Sequence, residues 1–226
     1  MFFDPIYFLF VLPGLVFCLV AQGLVKSRFN KYSQIRNFRG MTGAQAAEAV
    51  LRQNGVAGVE ILPCQGNLTD HFDPKTNRIF LSDGVFNATT IAAAGIAAHE
   101  AGHAVQYAKA FAPLKFRNAI IPMCNIGSRL AVPAIILGYF LGFVGLIWLG
   151  IALFSLAVVF QLITLPVEFD ASRRALASLK ASGTLGEQEA DGAGKVLGAA
   201  ALTYVAALMQ SLLILLYYIF RANGRR

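Results

Sequence analysis

The stretch LAVPAIILGYFLGFVGLIWLGIALFSLAVVFQLITLPV, residues 130–167, holds 38 consecutive residues without a charge. A membrane-spanning helix needs about 20 apolar residues, so this stretch has room for two spans joined by a tight turn. The positions where the chain could reverse direction are Gly138, Gly142, Gly145 and Gly150. We therefore predict a helical hairpin inside a membrane.

Two more uncharged stretches, residues 5–25 and 196–220, lie near the two ends of the chain. Of the 226 residues, 57% are hydrophobic and only 14% are charged, whereas a soluble domain carries about a quarter charged residues. The sequence predicts a mainly α membrane protein with spans at about 5–25, 120–140, 145–166 and 196–220. No basic residue precedes the first apolar run, so we expect an anchor and not a cleaved signal peptide.

The basic residues next to the predicted spans indicate an orientation. Lys and Arg occur five times in residues 26–39, four times in 109–129 and four times in 173–195, so we expect these regions on the cytoplasmic side. Arg221, Arg225 and Arg226 disagree, because four full spans leave them outside; a re-entrant fourth helix or a shorter third loop would remove the conflict. The positive-inside pattern explains the net charge of +7, so we expect no nucleic-acid partner.

The sequence does not decide how deep Arg129 lies in the membrane. If the second span begins near Asn118, Arg129 lies within the bilayer and needs a partner. We expect it at the membrane interface. Transport, a common function of four-span proteins, is disfavoured because the polar chemistry of this chain is concentrated outside the spans.

The polar region after the first span contains signals for helices and strands. Residues 41–54 predict an amphipathic helix with Thr42 as N-cap and Gly55 after its end. Two short strands are expected, one around Val59 and Ile61 and one at residues 78–81, separated by the turn-rich stretch QGNLTDHFDPKTN. From Thr89 or Thr90, an alanine-rich helix of about 20 residues is expected to run to Pro113.

That last helix contains HEAGH, residues 99–103. His99 and His103 are four residues apart and share one helix face, so their imidazoles can occupy neighbouring corners of a tetrahedral zinc ion. Glu100 follows the first histidine and can reach a water at the open corner, where it would act as general base. The spacing predicts one zinc ion per chain.

A catalytic zinc needs a third protein ligand. His71 is the remaining histidine, and it lies in the turn-rich stretch. Glu168 is the first charged residue after the long uncharged stretch, in the sequence PVEFDASRRA, where we expect Pro166 to begin a new helical segment. Position alone does not decide between Glu168 and Asp170.

Three segments carry a resemblance: TDHFDPKTNRIFLSDGVFN, IAAHEAGHAVQ and PVEFDASRRA. Together with the flanking apolar segments they resemble the YugP-like family of putative neutral zinc metallopeptidases. The resemblance implies a membrane-bound, gluzincin-like metallopeptidase with zinc ligands His99, His103 and Glu168 and catalytic base Glu100. It also implies one membrane-embedded domain over residues 1–226, with a small α+β, zincin-like catalytic region formed by residues 26–117 and 168–195.

The EFDAS stretch is also similar to the glutamate-bearing helix of HtpX-type membrane metallopeptidases, in which an aspartate commonly follows the ligand by four residues. Here that position is Ser172, and Asp170 follows by two. Either side chain could orient a zinc-bound histidine.

Other residues are candidates for stabilising the oxyanion of peptide hydrolysis or for holding substrate. The oxyanion candidates are His71, Tyr204, Arg173 and Arg174; we expect packing for Tyr204 and membrane-surface anchoring for the arginines. The RIFLS segment, residues 78–82, could serve as an edge strand to which an extended peptide adds; the alternative is an internal strand of a small sheet.

The favoured function is a zinc endopeptidase of a prokaryotic plasma membrane, with its site facing the cytoplasm and with polypeptides or membrane proteins as substrates. One alternative is a site-2-type intramembrane protease, which needs an aspartate ligand within a span. The other is a catalytically silent, zinc-stabilised membrane scaffold, which has no need of Glu100.

Overall fold

The computed structural model describes residues 4–224, and it is mostly helical with one small sheet. The elements are α1 (Pro5–Tyr32), α2 (Gly43–Gln53), β1 (Glu60–Cys64), β2 (His71–Asp73), β3 (Arg78–Ser82), α3 (Asp83–Phe86), α4 (Ile91–Ala108), α5 (Ala112–Leu141), α6 (Val144–Ala181) and α7 (Glu187–Asn223). The chain divides into two compact units. The first contains residues up to 21, 115–165 and 202 onward, and the second contains 22–114 and 166–201.

The first unit holds the parts of α1, α5, α6 and α7 that are most apolar. All four helices are long and apolar enough to cross a membrane, which confirms the number of spans expected from the sequence. The α5–α6 turn falls at Gly142, whose φ of +67° is a conformation that glycine adopts without strain. Close to the turn, a Cβ at Gly138 would lie only 2.8 Å from the backbone nitrogen of Ile147, so glycine permits the two helices to approach.

One expectation about the spans was wrong. Pro166 does not begin a new helical segment, because α6 continues without interruption from Val144 to Ala181. The proline removes a single backbone hydrogen bond, whereas a helix break in an apolar segment would leave several groups without partners. α7 is likewise one continuous helix, from Glu187 to Asn223.

The ends of α1 and α7 meet through polar side chains in the first unit. Asp4, just before α1, accepts a hydrogen bond from the Tyr217 hydroxyl at 3.1 Å and pairs with Arg221 at 3.2 Å. The N-terminal end of α1 and the C-terminal end of α7 therefore lie on the same side of this unit. Arg221, which disagreed with the expected orientation, has its charge compensated by Asp4.

The sheet of the second unit has the strand order β1-β3-β2. β3 pairs with β1 in parallel and with β2 in antiparallel fashion. We expected two strands, and the third, β2, lies within the stretch read as turns, because three residues between turns carry too little periodicity to reveal a strand. RIFLS is therefore the central strand and not an edge strand, because both of its sides are already paired.

The two helices expected in the polar region are present. Thr42 caps α2 through the Gln45 backbone N–H at 3.2 Å, and Thr90 caps α4 through the Ala93 N–H at 3.3 Å. α4 ends at Ala108 and not near Pro113. The reason is Ala110, whose φ of +53° stops the helix before Pro113 enters the first turn of α5.

The contact between α4 and the 166–181 part of α6 positions the two halves of the expected site. At Gly102, a Cβ would lie 2.6 Å from the Ala171 carbonyl oxygen and 3.3 Å from its Cα. Only a residue without a side chain fits there, so Gly102 sets how closely the two helices approach.

We predict that Gly102→Ala lowers the stability of the protein by about 1–3 kcal/mol and weakens metal binding, because the added methyl group forces α4 away from α6. The measurements are thermal unfolding and zinc affinity of the detergent-purified protein. Gly198→Ala is the matched control, since this helical glycine has nothing within 4 Å of an added Cβ. Equal behaviour of the two variants would contradict the role of Gly102.

Candidate metal centre

Three potential metal ligands converge in the second unit. The Nε2 atoms of His99 and His103 on α4 lie 3.3 Å and 3.6 Å from Oε2 of Glu168 on α6. The three ligand atoms all lie within 4.8 Å of one another, and the residues could hold a metal ion. Glu168 is buried, whereas the histidine side chains keep 16% and 13% of their surface exposed.

The chemistry and spacing of these atoms fit zinc. Two imidazole nitrogens and one carboxylate oxygen form a ligand set typical of catalytic zinc sites, which leave a fourth position open. Zinc–ligand bonds of about 2.0–2.1 Å at tetrahedral corners place neighbouring ligand atoms roughly 3.3–3.4 Å apart. The two measured nitrogen–oxygen distances are close to that spacing.

The outer nitrogen of each histidine has its own partner. Nδ1 of His99 lies 3.0 Å from the Ser172 hydroxyl, and Nδ1 of His103 lies 3.1 Å from Oε1 of Gln106. The amide oxygen of Gln106 is only an acceptor, so the proton of a neutral His103 resides on Nδ1 and the Nε2 lone pair faces Glu168. These bonds fix the orientation of both rings toward the centre.

Asp170 lies near the centre, but its carboxylate is engaged elsewhere. It accepts hydrogen bonds from Gln106 Nε2 at 3.0 Å, from Arg174 and from Arg173. Gln106 also donates to the Val167 carbonyl at 2.8 Å. Asp170 therefore acts on His103 only through Gln106, and Glu168 is the carboxylate that faces the histidines.

The charged groups of the centre stabilise the ionised forms of one another. Burial opposes ionisation of Glu168, but hydrogen bonds from His103 and His99 outweigh it and hold the pKa of this carboxyl below its usual value. Burial likewise lowers the pKa of His103, yet the hydrogen bond with Glu168 and the negative charges of Glu100 and Glu168 raise it above its ordinary value. The site therefore favours a cation.

The other candidate residues are not among the three potential metal ligands. His71 is exposed on β2, where its Nδ1 contacts the Thr69 carbonyl at 2.8 Å and its ring stacks on Phe80 at 5.0 Å. Tyr204 is 39% exposed on the part of α7 that belongs to the first unit. Arg173 and Arg174 pair with Asp170, a role the sequence did not indicate.

Sequence reasoning missed two residues that build this centre, Gln106 and Gly102. Gln106 is fully buried, one turn after His103 in an otherwise apolar stretch. A polar residue in such a place needs buried partners, and that signal could have identified it. Gly102 lies between the two histidines, where the spacing of the ligands does not by itself require a glycine.

The comparisons with known proteins concern the family of the chain and not the arrangement of its site. The family described as "Putative neutral zinc metallopeptidase" matches residues 7–223. The chain belongs to this family. A protein of Bacillus subtilis (strain 168) named "Putative membrane protease YugP" is 46% identical over 206 residues, which cover 91% of this chain and 92% of that protein. No solved structure matches the chain. Family membership implies zinc, and the cluster of His99, His103 and Glu168 is where this chain could hold it.

We predict that Glu168→Gln loses zinc and Asp170→Asn retains it. Both changes replace a carboxylate with an amide on the same helix, but only Glu168 faces the histidine Nε2 atoms. The measurement is elemental analysis of purified protein, with about one zinc per chain expected in the wild type. Zinc retained in the Glu168 variant would exclude this residue as a ligand.

We further predict that Ser172→Ala and Gln106→Met each weaken zinc binding by about 10–100-fold, since each removes the partner of one histidine Nδ1. Competition with a chelator of known affinity measures the effect. Ser178→Ala is the matched control, because this hydroxyl lies on the same helix and bonds Asn54, at 2.8 Å. A loss of affinity as large in the control would indicate a general structural effect.

Proposed function

We propose that this protein is a membrane-bound zinc endopeptidase of the gluzincin type, with His99, His103 and Glu168 as ligands. The observation that carries the proposal is the convergence of the two Nε2 atoms and Glu168 Oε2, with Glu100 next to the first histidine. Membership of a zinc metallopeptidase family supports the reaction type. A zincin-like catalytic region agrees with one active-site helix, α4, packed beside a small sheet.

When bound at this site, zinc supplies Lewis acidity that activates water and polarises the scissile carbonyl. Glu100 has the position required of the general base. It is partly exposed, it follows His99 on α4, and its charge already acts on His103. In the proposed reaction Glu100 accepts a proton from the attacking water and then donates it to the leaving amine nitrogen.

Ser172 and Gln106 contribute by holding their histidines, and Asp170 by holding Gln106. The two arginines that neutralise Asp170 keep this second carboxylate from competing for the metal. Arg174 also lies over the Phe111 ring at 5.5 Å, which further restricts its position. Glu168 thus remains the anionic ligand of the centre.

The substrate is proposed to bind in extended form along the free edge of β2. β3 is paired on both sides, so the edges of the sheet are β1 and β2. β2 packs on the active-site helix through Phe72, whose ring lies 5.8 Å from that of Tyr107, one turn after His103. Main-chain hydrogen bonds at an edge hold many sequences, which suits a protease that acts on varied polypeptides.

The site is proposed to face the cytoplasm of a prokaryotic cell, at the plasma membrane. The basic residues next to the apolar segments support this orientation, and the pairing with Asp4 compensates the charge of Arg221, one of the residues that disagree with it. The Bacillus subtilis relative is named a membrane protease, which supports membrane-associated polypeptides as substrates.

Neither of the two alternatives, a site-2-type intramembrane protease and a catalytically silent scaffold, is supported. A site-2-type protease needs an aspartate ligand within a span, and Asp170 is committed to Gln106, Arg173 and Arg174. A scaffold requires no base beside the metal, whereas Glu100 occupies that place.

We predict that Glu100→Gln abolishes cleavage of fluorescein-labelled casein by the zinc-loaded protein in detergent, with at least about a hundredfold loss expected for a missing general base. Zinc content and unfolding temperature should remain those of the wild type. Glu48→Gln is the control, because Glu48 is exposed on α2 and should retain full activity. Cleavage by the Glu100 variant at the wild-type rate would contradict the mechanism.

A further inference from the structure

Arg129 lies in the middle of a membrane-spanning helix. Residues 118–128 and 130–141 of α5 carry no charge. The 12 residues after Arg129 form about 18 Å of helix, too short to cross a hydrocarbon core of about 30 Å, so the span must include Arg129. With α5 spanning the membrane in this way, Arg129 lies within the bilayer and not at the interface.

The side chain of Arg129 is exposed and has no hydrogen bond or ion pair within residues 4–224. Asn125, one turn earlier, is also exposed, and its side chain also lacks a partner in the part of the chain described. Asn118 lies on the same side of α5, seven residues before Asn125. The opposite side, with Cys124, Ala131 and Ile135, is buried.

The face formed by Asn118, Asn125 and Arg129 is thus polar where a lipid-facing helix is ordinarily apolar. On insertion scales, a cationic side chain at the bilayer centre costs about 2.5–3.5 kcal/mol. Charged residues at that depth therefore pair with other groups. Lipid phosphates lie roughly 15 Å away, at the edge of the hydrocarbon core, beyond the reach of an arginine side chain. A polar or charged group on another helix at the same depth can compensate Arg129.

We propose that this face of α5 binds a transmembrane helix of a different protein, one that carries an aspartate or glutamate near its middle. Charge complementarity selects this occupant. The segments 5–25, 118–141, 144–167 and 196–220 of this chain contain no acidic residue, so a second copy would offer Arg129 no carboxylate. The asparagines add hydrogen-bonding groups that an apolar partner helix would leave unused.

The proposal depends on α5 spanning the membrane and not on the proposed peptidase activity. The partner helix could be a substrate or a regulator, and binding is expected with or without cleavage. Using the Glu100→Gln variant throughout separates the two proposals, because binding by α5 should be unaffected by loss of the base.

The test uses two synthetic transmembrane peptides in phosphatidylcholine vesicles that contain the protein. Both are Leu/Ala helices of about 24 residues, long enough to span the bilayer, with one central Glu in the first and one central Gln in the second. Each carries a dansyl group and no Trp, so energy transfer from Trp148, the single tryptophan of this chain, reports binding.

We expect the Glu peptide to bind about tenfold tighter than the Gln peptide, which corresponds to about 1.4 kcal/mol. Arg129→Leu should reduce this ratio to about one, Arg129→Lys should keep most of it, and Asn125→Leu should lower both affinities. Met123→Leu is the control, since Met123 is 52% exposed on the same helix and should not matter.

Equal binding of the two peptides to the wild type would overturn the proposal. So would a wild-type oligomer that becomes monomeric on Arg129→Leu, because the face would then bind a second copy. Unchanged unfolding temperature and zinc content in the Arg129 variants would show that any lost binding is local to α5.

Discussion

The centre depends on one close contact, the approach of α4 to α6 at Gly102. There the α4 backbone lies against the Ala171 carbonyl, and a methyl group would lie 2.6 Å from that oxygen. Because His99 and His103 flank this glycine on one helix and Glu168 lies three residues before Ala171 on the other, the contact brings all three ligand atoms together. The alanine-rich composition of α4 also favours this close contact, since small side chains allow neighbouring elements to approach.

Polar groups buried around the centre are satisfied in a connected chain. Ser172 holds His99, and Gln106 links His103 to Asp170, whose charge is balanced by Arg173 and Arg174. Loss of one member of such a network lowers the stability of the protein, because the remaining groups stay buried without partners. One ionised carboxylate, Glu168, thus faces the candidate metal position, and a second, Asp170, holds Gln106, the partner of His103.

Local signals predicted a large part of this structure. The uncharged stretches predicted four apolar helices, and Thr42 and Thr90 predicted where two helices begin. The spacing of His99 and His103 predicted that both lie on one helix face. The features that the sequence did not reveal depend on tertiary contacts. β2 exists because β3 pairs with it, Pro166 stays helical because the apolar segment penalises a break, and Gln106 matters because α6 places Asp170 and Val167 beside it.

X-ray absorption at the zinc edge of the purified wild-type protein is the most direct test of zinc binding by two imidazoles and the Glu168 carboxylate. We expect nitrogen and oxygen neighbours at about 2.0–2.1 Å, with the scattering of two imidazole rings and no sulfur. A sulfur neighbour at about 2.3 Å, or the absence of stoichiometric zinc, would contradict it.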